Sequence, residues 1–135
     1  MREHSSTNAD THRYLARGKA FFTAMQELSP DCELINESGE EVLFTVPVHN
    51  ESGNGEVRIR ALMRGSECVV EYIRATPEGE GFASRALAQF EQVAQKLGYT
   101  RIIADTAMTG ATHMWKRNGY EYVGAATDMV KRIKK

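Results

Sequence analysis

The sequence predicts an α/β (α+β) domain built on one mixed sheet. Its central unit is strand, glycine loop, helix, strand, helix, strand, strand, preceded by one helix and a β-meander. Three observations predict this. Residues 68–97 read as a buried strand, a loop with Gly79 and Gly81, and an amphipathic helix. Two runs upstream of it, 42–48 and 57–63, alternate with a period of two. Downstream, short apolar segments at 101–104, 121–124 and 128–133 flank one more helical stretch.

The elements follow in chain order. Residues 1–9 are polar and expected to be disordered. Asn8 or Asp10 can cap a helix running to about Leu28, whose apolar stripe is Tyr14, Leu15, Gly18, Phe21, Phe22, Met25 and Leu28. Ser29-Pro30 ends it. A short strand is expected at 33–36, then a turn at 37–40. Val42, Phe44, Val46 and Val48 define one face of the next strand, and Pro47 places that strand at an edge or near its end. Residues 50–55 read as a polar loop, with Asn54-Gly55 as its hairpin signal. Val57, Ile59, Ala61 and Met63 then alternate with Arg58, Arg60, Leu62 and Arg64.

The central strand, 69–75, carries Val69, Val70, Tyr72 and Ile73, residues suited to a pleated buried strand. Pro77, Gly79 and Gly81 stop it. The period then lengthens: Phe82, Ala83, Ala86, Leu87, Phe90, Val93, Ala94 and Leu97 form one helical stripe, and Gly98 stands where a helix end favours positive φ. A glycine loop feeding a helix leaves free backbone N–H groups at the positive end of the helix dipole, an anion site in waiting.

The chain has 135 residues, 41% apolar and 26% charged, with a net charge of −1. That describes one domain, 1–135, with no overall bias toward nucleic acid or acidic membranes. The apolar runs are too short to span a bilayer, and the polar first ten residues show no secretory leader. Cys32 and Cys68 make no disulfide framework, so both are expected to be buried thiols of a cytoplasmic protein. His4, His12, His49 and His113 are scattered, and no metal site is expected.

Glu78-Gly79-Glu80-Gly81-Phe82-Ala83, and then Ala111, Trp115, Gly119 and Tyr120, carry a resemblance. The stretch from Glu67 to Lys135 resembles the GNAT superfamily of N-acetyltransferases. The family writes its acyl-CoA loop Arg/Gln-x-x-Gly-x-Gly/Ala, met here at Gly81 and Ala83. It writes its later signature Ala-x-x-x-Tyr-x-x-x-Gly-Phe, met at Ala111 and Gly119, with Trp115 and Tyr120 at the aromatic positions. The resemblance implies a GNAT-like fold, acetyl-CoA as cofactor, and transfer of the acetyl group to a primary amine of an acceptor, small molecule or protein.

It also implies site residues. The loop Gly79, Glu80, Gly81, Phe82, Ala83 and Ser84, with Arg85, would wrap the cofactor's diphosphate. The backbone of Ile73, Arg74 and Ala75 would hold the thioester and the pantetheine arm. Trp115 would pack in the core or wall the cofactor channel. For a base, the two-residue period puts Glu67 and Glu71 on the face of Ile73 and Ala75, where a buried carboxylate has a raised pKa and can take a proton. Either can instead be ion-paired on the sheet, with Arg58 or Arg60.

Three departures from the family pattern are Glu78 for Arg/Gln, Met108 for a frequent Asn, and Trp115 for the Tyr that commonly serves as acid. They keep a second reading open: a catalytically inactive protein of this fold that acts as a protein-binding module. Without the Tyr, an enzyme would have to use Thr112, His113, Tyr120 or a water as acid, or let the thiolate depart unassisted. Arg58, Arg60 and Arg64 share one strand face, and Lys131, Arg132, Lys134 and Lys135 close the chain. These are expected to be a solvated face and a soluble tail; the alternative is a patch for an acidic acceptor or nucleic acid, though no interleaved aromatics make a stacking platform. The acceptor and the oligomeric state are left open, a homodimer included.

Overall fold

A computed structural model describes residues 17–106, 112–123 and 128–133. The expected mixed sheet is present. Seven strands lie in the order β1-β2-β3-β4-β5-β7-β6, with β1 Glu33–Ser38, β2 Glu41–Asn50, β3 Gly53–Arg64, β4 Glu67–Thr76, β5 Arg101–Ala104, β6 Glu121–Tyr122 and β7 Met129–Arg132. Among the described residues three helices accompany them: α1 Arg17–Leu28, α2 Phe82–Lys96 and α3 Thr112–Arg117. β4 is central, antiparallel to β3 and parallel to β5, with α2 as the crossover. The caps Asn8 and Asp10, the motif positions Met108 and Ala111, Gly124, and the terminal Lys134 and Lys135 lie outside the described residues.

Burial explains the layering. Val42, Phe44, Val46 and Val48 of β2 and Val57, Ile59, Ala61 and Met63 of β3 are buried on one face. α1 and α2 cover that face side by side. Phe21 of α1 meets Phe90 of α2 at 4.6 Å between ring centres, and Phe22 meets Phe44 at 6.0 Å. Ala86, Leu87, Phe90, Val93 and Ala94 are buried as the stripe predicts. Leu28 and Leu97 are not: they are 40% and 42% exposed. Both sit at helix ends, where the chain turns off the sheet and the stripe has nothing left to cover. Cys32 and Cys68 are buried free thiols, and desolvation pushes the Cys68 pKa up to about 12.

Pro47 is tolerated because β1 pairs with β2 only as far as Glu33 opposite Thr45. Beyond that point its missing N–H faces no strand. The β2–β3 hairpin is tighter than the sequence suggests. Asn50 pairs with Gly53, so Glu51 and Ser52 form the turn, and Asn54 and Gly55 belong to β3. The Asn50 side chain supplies the turn chemistry by accepting the Ser52 N–H at 2.8 Å. Gly55 serves packing: a Cβ there would lie 2.6 Å from the Phe82 ring, so only glycine lets the start of α2 close on β3.

One irregularity decides the faces of β4. Arg60 pairs with Tyr72 and Ala61 with Val70, so Glu71 is the extra residue of a β-bulge. The bulge breaks the alternation. Cys68, Val70, Ile73 and Ala75 lie opposite the buried Met63, Ala61, Ile59 and Val57, on the helix-covered face. Glu67 lies opposite the exposed Arg64, and Glu71 is set against Arg60 on the other face. The expectation that both glutamates share a face with Ile73 and Ala75 is therefore corrected. An inserted residue shifts the parity of everything before it.

Candidate active site

β4 and β5 run together only from Glu67 opposite Arg101 to Val70 opposite Ala104. The last bond between them is the Asp105 N–H to the Val70 carbonyl, at 3.0 Å. Beyond it, among the described residues, β4 pairs with β3 alone, and the sheet opens into a split. The bulge at Glu71 falls where the split begins. A cleft of about 490 Å³ occupies it, lined by Ile73, Arg74, Ala75, Glu78, Gly79, Gly81, Phe82, Ala83, Ser84, Met114 and Arg117.

The cleft is closed at one end by the start of α2. Gly79 and Gly81 hold φ of 80° and 82°, a left-handed backbone that side-chain-bearing residues rarely adopt. Gly81 is the N-cap and offers no side-chain cap. The helix's own bonding begins with the Arg85 N–H to the Gly81 carbonyl, at 3.3 Å. The N–H groups of Phe82, Ala83 and Ser84 precede that bond and sit at the positive end of a 15-residue helix. From the far side the hairpin turn holds the loop: Asn50 Nδ2 donates to the Glu80 carbonyl at 2.6 Å.

The structure thus brings Ile73, Arg74, Ala75, Gly79, Gly81, Phe82, Ala83 and Ser84 together around one cavity. It leaves three of the residues expected to hold the cofactor outside. Glu80 and Arg85 are exposed and do not line it. Trp115 is 0% exposed, with its ring 4.8 Å from that of Tyr120, so it packs in the core. Sequence reasoning missed three residues here. Met114 and Arg117 line the cleft from α3. Asn118 Nδ2 donates to Ser84 Oγ at 3.0 Å and to the Met114 carbonyl at 2.8 Å, pinning the end of α3 to the start of α2. The only sequence signal for them was their place just before Gly119.

Glu78 enters the cleft wall but is paired, 3.5 Å from Arg74 Nε, with both side chains largely exposed. Arg117 forms no ion pair among the described residues.

The two candidate bases separate. Glu67 joins Arg101 in an ion pair at the closed end of the split, six residues or about 20 Å along the strand from Ile73. Glu71 stands at the opening. Burial pushes its carboxyl above the usual carboxylate range, Glu41, hydrogen-bonded to it, and Asp105 add to the push, and Arg60 opposes it. Among the described residues the buried Oε1 of Glu71 has no hydrogen-bond partner.

Tyr120 is spoken for. Its hydroxyl donates to Glu91 Oε2 at 2.8 Å, Lys131 Nζ donates to the other oxygen at 3.0 Å, and burial drives the phenol pKa upward. His113 is exposed and Thr112 half-buried, neither lining the cleft. Among the described residues no group of His, Cys, Asp or Glu is arranged to hold a metal ion, and no helix is long and apolar enough to cross a membrane.

No protein-family model matches the chain, and no curated protein matches it. Solved structures do. A ribosomal-protein-S18-alanine N-acetyltransferase from Escherichia coli superposes with a TM-score of 0.52 at 11% identity, over 69% of this chain and 70% of that one. An acetyltransferase from Bacillus cereus ATCC 14579 gives 0.50 at 20% identity, over 79% of this chain and 78% of that one. At such identities the likeness is one of fold, and the fold is that of the GNAT N-acetyltransferases.

Proposed function

We propose that this protein transfers an acetyl group from acetyl-CoA to a primary amine. The observation that carries the reading is the split between β4 and β5, ending on an uncapped helix N-terminus behind two left-handed glycines. An anion meets backbone N–H groups and a helix dipole there, and an extended chain can run on beside the unpaired edge of β4. A diphosphate with an arm attached has that shape. Gly79, Gly81, Phe82, Ala83 and Ser84 would hold the diphosphate. The free edge of Ile73–Ala75 would hold the arm and polarise the thioester carbonyl.

The amine approaches from the other face, where Glu71 and Asp105 flank the opening. Glu71, deprotonated, takes a proton from the ammonium. The freed nitrogen attacks the thioester carbon and gives up its second proton to water, the C–S bond breaks, and the thiolate leaves. Trp115 is buried and the Tyr120 hydroxyl is committed to Glu91, so the thiolate takes its proton from water.

The loop gives the test. Glu78→Arg removes a carboxylate from beside the diphosphate, adds a cation, and frees Arg74 from its pair. Exposed charge pairs contribute roughly 0.2–1 kcal/mol each. The two changes together should tighten CoA binding by about 0.5–2 kcal/mol, up to roughly thirtyfold by calorimetry. The gain should shrink at high salt. If neither the native protein nor the variant binds CoA at millimolar concentration, the acetyltransferase reading fails and the protein-binding module takes its place.

A further inference from the structure

The outer face of the sheet, away from α1 and α2, carries a second built feature. Thr45 of β2, Arg58 of β3 and Arg74 of β4 stand in one row across three strands. In the adjoining rows Glu56 faces Thr76, and Arg60 faces Tyr72. Thr45, Glu56, Arg58, Tyr72, Arg74 and Thr76 line a pocket of about 190 Å³. Two like charges directly opposite on an antiparallel pair repel and destabilise the sheet. Arg74 relieves part of this through Glu78. Among the described residues neither Arg58 nor Glu56 forms an ion pair. The pocket's own lining therefore sets two guanidiniums and three hydroxyls against the one carboxylate of Glu56, and one of those hydroxyls is on Thr45, which is only 7% exposed. Two guanidinium forks and several hydroxyl donors around a space this size suit an oxyanion.

We propose that this pocket binds the anionic group, a carboxylate or a phosphate, of the acceptor. The proposal rests on the amine-acetylation reading for its meaning. Glu71 and Arg74 lie on the same face three residues apart, about 10 Å along the strand. The acceptor is then a small molecule or peptide segment that carries its amine and its anion within that reach. The amine lies at Glu71 and the anion between Arg58 and Arg74. Cofactor and acceptor occupy opposite faces of the sheet and meet at the split.

Inorganic phosphate and malonate, titrated into the full chain at fixed ionic strength, test it by calorimetry and thermal unfolding. Arg58→Gln is expected to lower the affinity for the bound probe about tenfold or more, the scale of hydrogen bonds to a charged group. Without probe the same variant should unfold at the same or a higher temperature than the native protein, because the Arg58–Arg74 repulsion is gone. Preference for malonate assigns a carboxylate acceptor, and preference for phosphate a phosphorylated one. Equal stabilisation of both proteins, or none of either, overturns the pocket. Competition between the probe and CoA overturns its assignment to the acceptor and gives it to the cofactor's phosphates. CoA affinity of the native protein is measured alongside. Its absence would sink the acetyltransferase reading and leave the probe titration to judge the pocket on its own.

Discussion

Glu71→Gln is expected to lower kcat/KM for acetyl transfer by about a hundredfold or more, the scale of general acid–base assistance. CoA affinity should stay close to native, because Glu71 lies outside the cleft lining. The pH profile gives a second readout. A base acts only when deprotonated, so the native rate should rise with pH as Glu71 loses its proton. Its carboxyl is held above the usual range by burial, Glu41 and Asp105. The rise should therefore fall above the pH at which an ordinary glutamate titrates, and the variant should lack it.

The sign of the stability change runs the other way. A carboxyl with a raised folded-state pKa binds its proton more tightly folded than unfolded. Its stabilising contribution is present at low pH and is lost as pH rises through the folded pKa. Glutamine removes the charge that Glu41 and Asp105 repel, so the variant should be at least as stable as the native protein near neutral pH. Loss of rate with equal or greater stability marks a functional residue. A full-rate variant would remove Glu71 from the mechanism, and with Glu67 held by Arg101 at the closed end, solvent would be left as the base.

The second large effect lies in the core. Phe90→Ala should cost about 3–5 kcal/mol, the range for deleting a buried aromatic ring. Phe90 is 0% exposed, packed on Phe21 and centred on the helix that carries the glycine loop. Against a total stability of about 5–15 kcal/mol, that is a large share. Urea unfolding followed by circular dichroism measures it as a lower midpoint. A loss under about 1 kcal/mol would mean that α2 does not clamp the sheet as described.

What could be read beforehand follows the physics of side chains. β2 and β3 were legible because burial of one face imposes a period of two, and α2 because burial of one stripe imposes a longer one. The glycine loop showed itself because positive φ selects glycine. Glu71 as a bulge did not, since an extra residue in a strand leaves no mark of its own type. It reversed the faces of Glu67 and Glu71, and only the cross-strand register reveals it. Asn54-Gly55 misled because Gly55 answers to the Phe82 ring rather than to a turn. Met114, Arg117 and Asn118 were missed because a short helix of six residues gives too little periodicity to show which side faces the cleft. The Arg58–Arg74 row exists only once β3 and β4 are aligned, so no linear reading contains it.

β1 forms one border of the sheet, with all six residues exposed and Leu34 and Ile35 among them. Such a border is a template for stacking one molecule on the next, the route to insoluble fibres. Two features spoil it. Leu34 pairs with Phe44 and Asn36 with Leu43, so Ile35 is an inserted residue that bends the strand and interrupts the regular spacing a newcomer needs. Two copies of β1 meeting antiparallel about Ile35 would also place Glu33 against Glu37 on both sides. Colloidal stability of the protein is guarded at this border by two carboxylates and one surplus isoleucine.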